Sequence, residues 1–136
     1  MIFSASAISE RYPPFLSALS ENGYTLCVLS NKPDNVVGDI VKLFFGDIFK
    51  CVMGHRPPNR IKPAPDSALE ICRNLGVEPC DVCFIGDTDV DIKTGKNAGM
   101  KTVGVLWGFR EKDELLAAGA DYIAEKPMDI FNEFLK

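Results

Sequence analysis

Five residues of this chain have the type and spacing to do chemistry together. Asp87 and Asp91 stand four apart in Ile85-Gly86-Asp87-Thr88-Asp89-Val90-Asp91, directly after an apolar run. That pattern predicts a buried parallel strand, a glycine turn and a helix opened by acids. Four residues is about one helical turn, so both carboxylates would face one mouth at the carboxyl end of the strand, where open α/β sheets place their ligands. Hard oxygen donors there suit Mg²⁺, which takes one or two carboxylates and shares phosphate oxygens. The same acids equally suit a plain helix N-terminus, where aspartate caps the chain and answers the dipole. Ser30 and Asn31 follow an earlier strand and put a hydroxyl and an amide at a helix N-terminus, a ready anion site. Lys62, between Ile61 and Pro63, lies in a stiff segment that would fix one ammonium. Singly, Ser30 reads as a helix cap and Lys62 as a solvated surface lysine. Placed after successive strands, the hydroxyl, the cation and the carboxylates describe a site for a phosphoryl group.

The elements that must position them alternate along the chain. A helix opens at Pro13-Pro14, with Phe15, Leu16 and Leu19 on its apolar face, and stops at Gly23. Thr25–Leu29 reads as a strand that Ser30-Asn31-Lys32-Pro33 ends abruptly. A second helix runs from Pro33 to about Phe44, with Val36, Val37, Ile40, Val41, Leu43 and Phe44 turned to a core. Phe49–Met53 reads as a short strand. A loop from His55 to Pro65 carries four prolines and three basic residues, long enough to suggest function. Further on, the pattern gives a helix over Pro65–Leu75, a strand over Asp81–Ile85 and a helix to Ala98. A strand over Thr102–Leu106, a helix over Glu111–Ala118, a strand over Tyr122–Ala124 and a helix over Met128–Leu135 complete it. Residues 1–11 are weakly patterned. Strand–helix alternation with such connections predicts a single α/β domain over 1–136, a Rossmann-like parallel sheet with helices on both faces.

Bulk properties narrow the partners. The 136 residues are 46% hydrophobic and 25% charged, ordinary for a globular chain. A net charge of −4 gives no basic footprint for nucleic acid. No apolar run reaches membrane-spanning length, and the N-terminus lacks the basic start of a secretory leader. Cys27, Cys51, Cys72, Cys80 and Cys83 are an odd count, mostly in apolar positions. Cys80 and Cys83 form a lone C-x-x-C with no second pair, so buried thiols are expected over a metal or redox site. That usage suits a reducing compartment, hence the cytoplasm.

Three segments carry a resemblance. Leu29-Ser30-Asn31-Lys32-Pro33, Ile61-Lys62-Pro63-Ala64-Pro65-Asp66 and Ile85-Gly86-Asp87-Thr88-Asp89-Val90-Asp91-Ile92 resemble motifs II, III and IV of the haloacid dehalogenase superfamily. Ala98–Phe109 and Ala118–Ile123 are similar to its phosphoglycolate phosphatase branch. The resemblance implies a phosphatase-type hydrolase acting on a small phosphate monoester with Mg²⁺. Ser30 would then hydrogen-bond the phosphoryl group, the Asn31 backbone would help, and Lys62 would neutralise charge between nucleophile and phosphate. Asp87 would ligate Mg²⁺, with Asp91 supporting it directly or through water. Hydrolysis in such enzymes passes through an aspartyl-phosphate.

The chain also departs from that pattern. The first motif, Asp-x-Asp-x-Thr, is absent, as is the helical cap that follows it. Ile2-Phe3-Ser4-Ala5-Ser6 resembles an Ile-Phe-Asp-x-Asp strand with serine at both acidic positions. The reading adopted for this segment is instead the tail of a cap helix at an artificial start. Serine lacks the charge of a metal-ligating carboxylate, so the polypeptide alone is expected to be a truncated form, a poor phosphatase or none. The alternatives are a non-catalytic phosphate- or metal-binding module and a receiver-like domain. The latter fits less well, since Thr25–Leu29 leads into Ser-Asn where an acidic pair belongs. The implied first strand lies mid-sheet, between the strands ending at Ser30 and Gly86. Left out, it would bare buried backbone groups at about 1–3 kcal/mol each. Residues Met1–Ser6, a strand from a second copy or partner, or direct pairing of the half-sheets is therefore expected to close the gap.

Overall fold

A computed structural model describes residues 1–7, 13–108 and 111–134. Residues 8–11 of the weakly patterned start, Phe109 of the resemblance and Leu135 of the last expected helix lie outside them. The described strands are β1 (Ile2–Ser4), β2 (Cys27–Pro33), β3 (Cys51–His55), β4 (Cys83–Gly86), β5 (Lys101–Val105) and β6 (Tyr122–Ala124). The helices are α1 (Pro13–Glu21), α2 (Asp34–Phe45), α3 (Asp66–Leu75), α4 (Asp89–Asn97), α5 (Lys112–Ala117) and α6 (Pro127–Phe134). The six strands form one sheet in the order β3-β2-β1-β4-β5-β6, and every pair is parallel. The chain is thus an α/β, Rossmann-like fold, as its strand–helix alternation implies.

Side chains alternate across a strand, and here the alternation divides the core into two layers. Phe3, Val28 and Ile85 face a cluster with Phe15, Leu16 and Leu19 of α1, Val37 and Val41 of α2, and Ile130 of α6. Ile2, Leu29 and Phe84 face the other way, onto Ala68, Ile71 and Cys72 of α3. Both faces of the middle strands are therefore covered, which is why β4 reads as an unbroken apolar run.

The gap expected mid-sheet is closed by the chain's own residues. β1 pairs with β2 through Ile2↔Cys27, Phe3↔Val28 and Ser4↔Leu29, and with β4 through Ile2↔Phe84 and Phe3↔Ile85. This corrects the reading of Ile2–Ser6 as a helix tail. Ile2 and Phe3 are 2% and 1% exposed, and two apolar side chains on opposite faces suit a central strand. Phe3 also meets Phe49 edge-to-face, centroids 6.3 Å apart.

Two other expectations change. Pro33 does not end β2 early: pairing with β3 resumes at Pro33↔His55 after a register shift between Leu29 and Pro33. An irregularity there re-aims Ser30 and Asn31 without breaking the strand. On α2 only Val37 and Val41 are buried; Val36, Ile40, Leu43 and Phe44 are exposed. The reason is position, since α2 packs on β2 and β3, the outermost pair of the sheet, and has strand beneath one side only.

Candidate functional site

Strand register gathers the chemistry. Ser4 ends β1 opposite Leu29, so Ser30 is the next residue along β2. Phe3 lies opposite Ile85, so Gly86 and Asp87 follow level with Ser4 on the other flank. Neighbouring strands are about 4.8 Å apart, so Ser30, Ser4 and Asp87 line one short edge at the carboxyl ends of three adjacent strands. All three are buried, at 8%, 1% and 1% exposure.

Lys62 enters this edge from the loop between β3 and α3. Its ammonium donates to Ser4 Oγ at 3.0 Å and to Asp91 Oδ1 at 2.7 Å. The ion pair is enclosed, with the lysine side chain 10% and the aspartate 2% exposed. Two amides clamp the Lys62 backbone. Asn31 Oδ1 accepts the Lys62 N–H at 2.9 Å, and Asn97 Nδ2 donates to the Pro63 carbonyl at 2.9 Å. The loop is closed by Arg60, whose guanidinium and backbone N–H all bind Asp66, holding that carboxyl at about 2.

Asp91 serves the helix-cap reading with one oxygen and Lys62 with the other. Thr88 Oγ1 accepts its N–H at 3.2 Å while its Oδ2 accepts the Thr88 N–H at 3.3 Å, a capping box at the start of α4. Oδ2 also takes the Asp87 N–H at 3.1 Å. One oxygen thus sets the turn, and the other sets Lys62.

Two glycines give the acids their room. A Cβ on Gly86 would lie 2.2 Å from Asp91 Cβ, and one on Gly108 would lie 2.2 Å from Asp87 Oδ2. The Gly108 turn is pinned by its neighbour, whose indole Nε1 (Trp107) donates to the Ala7 carbonyl at 2.9 Å.

The expected site residues therefore stand together, with one correction. Ser30 and Asn31 do not occupy a helix N-terminus. α2 begins at Asp34, whose carboxylate accepts the Gly54 N–H at 2.9 Å and pairs with Arg56, so that terminus already holds an anion. Ser30 Oγ instead accepts the Lys32 N–H at 3.1 Å within the irregular stretch. Residue reading missed Asn97 and Gly108; only the spacing of Asn97 from the lysine loop in space, not in sequence, reveals it. Ser4 was legible solely through its place in the Ile-Phe-x-x-x run. Of the lone C-x-x-C, Cys83 is buried in β4 and Cys80 is exposed. Among the described residues no cluster of three or more His, Cys, Asp or Glu is disposed to hold a metal, and no helix is long and apolar enough to cross a membrane.

The family model for haloacid dehalogenase-like hydrolases matches residues 8–105. Phosphoglycolate phosphatase of Aquifex aeolicus is 33% identical over 119 residues, covering 87% of this chain and 54% of its own length. N-acetylmuramic acid 6-phosphate phosphatase of Pseudomonas aeruginosa is 32% identical over 122 residues, covering 88% and 54%. A haloacid dehalogenase-like hydrolase from Streptococcus pneumoniae superposes with a TM-score of 0.80 at 27% identity, over 89% of this chain and 57% of that one. The chain belongs to the haloacid dehalogenase-like hydrolase family. It spans about half the length of the curated relatives it matches.

Proposed function

We propose that this chain binds a small phosphate monoester together with Mg²⁺ at the Ser30–Lys62–Asp87 edge, and that by itself it turns the ester over weakly or not at all. One observation carries the reading: Lys62 Nζ bridges Ser4 Oγ and Asp91 Oδ1 at the carboxyl end of the central strand. A fixed ammonium beside a hydroxyl suits a phosphate dianion, because charge-assisted bonds are roughly twice as strong as neutral ones. Ser30 Oγ and the Asn31 N–H would hold two phosphate oxygens, and the bonds from Asn31 and Asn97 to the Lys62–Pro63 backbone would steady the lysine.

The donors fit Mg²⁺ held jointly with a phosphate better than an all-protein cage. Asp91 already serves Lys62 and its own helix cap, which leaves Asp87 as the carboxylate to meet the ion and Asp91 to steady it. Mg²⁺ commonly binds through one or two carboxylates, waters and substrate oxygens, and it would supply charge neutralisation to the ester. The serine at position 4 is what limits turnover. Its hydroxyl accepts from an ammonium that is itself paired, and it brings no negative charge.

Relatives of similar identity are named for phosphoglycolate, for N-acetylmuramic acid 6-phosphate and for pyrophosphate. The shared chemistry is a phosphate ester or anhydride, and phosphoglycolate is the member favoured by the Ala98–Ile123 half. The test is Mg²⁺-dependent hydrolysis of p-nitrophenyl phosphate by the purified chain and by Ser4→Asp. Little or no release by the natural chain and a gain in the variant is the expected result. Robust turnover by the natural chain rejects the weak-activity reading, and turnover that survives loss of Asp87 rejects the site as well.

A further inference from the structure

Away from the phosphate edge, two thiols face each other at the amino end of the sheet. Cys27 of β2 and Cys51 of β3 are direct register partners on adjacent parallel strands. Side chains at paired positions point to the same face, and strand spacing sets their Cα atoms about 4.8 Å apart, inside the range a disulfide spans. Both cysteines are free. The pair is asymmetric. Cys27 is 1% exposed within the α3-side core, whereas Cys51 is partly exposed on the edge strand. We propose that Cys51 is a peroxide-sensitive modification site and Cys27 its resolving partner, so that oxidation staples edge strand β3 to β2.

The chemistry balances with hydrogen peroxide as oxidant. The Cys51 thiolate attacks one peroxide oxygen, forming S–O as O–O breaks; hydroxide leaves and is protonated to water. The Cys27 sulfur then attacks the resulting sulfenic sulfur, forming S–S as S–O breaks, and the departing hydroxide takes the Cys27 proton. Two thiols lose two electrons, and one peroxide becomes two waters. Accessibility and a neighbouring resolving thiol are what mark a redox-responsive cysteine. The acid–base balance of the pair supports the same order. Interaction with Cys27 lowers the Cys51 thiol, against its burial and with help from Arg56, while interaction with Cys51 and burial push Cys27 up. Cys51, the more exposed and the more acidic of the two, is then the attacking thiolate. The competitor is Cys72, which shares with Cys27 the wall of a cavity of about 340 Å³.

The test treats the full reduced chain with hydrogen peroxide, blocks remaining thiols in denaturant and maps the peptides by mass spectrometry. The expected product is a Cys27–Cys51 linked peptide two hydrogens lighter than its parts and reversed by dithiothreitol. In Cys27→Ala the Cys51 sulfenic acid is expected to persist and be trapped by dimedone. Should Cys27 and Cys51 both stay alkylatable after exposed Cys80 has been oxidised, the proposal is overturned. A bridge from Cys27 to Cys72 overturns it equally.

Discussion

At the scale of single residues, Lys62 is the hinge of the site, because one ammonium serves Ser4, Asp91 and, on the proposed function, the incoming phosphate. Removing it strands a carboxylate that is 2% exposed, and breaking a buried pair from one side costs about 3–5 kcal/mol. Lys62→Ala is therefore expected to lower the urea midpoint markedly and to abolish phosphate binding; an unchanged midpoint would show that the pair is not enclosed as described. Asp87 and Asp91 could be found in the sequence as a strand–glycine–acid pattern, although α4 begins only at Asp89, so Asp87 lies in the turn before the helix and not one helical turn back along it. What spacing could not say is that Asp91 turns one oxygen back into a capping box and gives the other to Lys62. That division depends on a lysine 29 positions away. Local periodicity carries no trace of it.

At the scale of elements, β1 and the turn after β5 hold the site's edge in place. Three residues suffice for β1 because both neighbours and both faces enclose it. Phe3→Ala is expected to cost about 3–5 kcal/mol, a large part of a total of about 5–15. Denaturant unfolding measures this directly, and a loss below about 1 kcal/mol would mean that Phe3 is not a core residue. Gly108→Ala places a methyl group where Asp87 Oδ2 now lies, so the carboxylate must move. Phosphate affinity in the presence of Mg²⁺ is expected to fall roughly tenfold, about 1.4 kcal/mol, by calorimetry. Full affinity in that variant would remove Asp87 from the site. Most elements were legible from punctuation, since Gly23, Gly46, Gly76, Gly99 and Gly119 all adopt positive φ at or just past helix ends. β1 was misjudged because three residues are too few to show a period. The outer half of α2 was misjudged because an apolar stripe does not state how wide the sheet beneath it is.

At the scale of the whole molecule, strand order explains why the site exists. Placing β1 between β2 and β4 brings Ser30 and Asp87 to either side of Ser4, although they are 57 positions apart in the chain. The alternation of strands and helices was enough to foresee a parallel sheet, and the cost of unpaired backbone groups was enough to foresee that its centre must be closed. Stability should also follow pH in a defined direction. Asp34, Asp66 and Asp121 all have depressed carboxyls: burial opposes the shift at Asp34 but bonds from Gly54 and Arg56 prevail, Arg60 lowers Asp66 to about 2, and Lys96 lowers Asp121. A depressed folded value gives stability above the unfolded value near 4 that is lost as pH falls through the folded one. Urea midpoints are therefore expected to hold down to about pH 4 and drop between about 4 and 2; a midpoint flat across that window would contradict these pairings. The most direct test of the central claim is calorimetric titration of the natural chain with inorganic phosphate, with and without Mg²⁺. Saturable one-to-one binding that strengthens with Mg²⁺ and vanishes in Lys62→Ala is the predicted result. Binding unaffected by both the metal and the loss of Lys62 would contradict it.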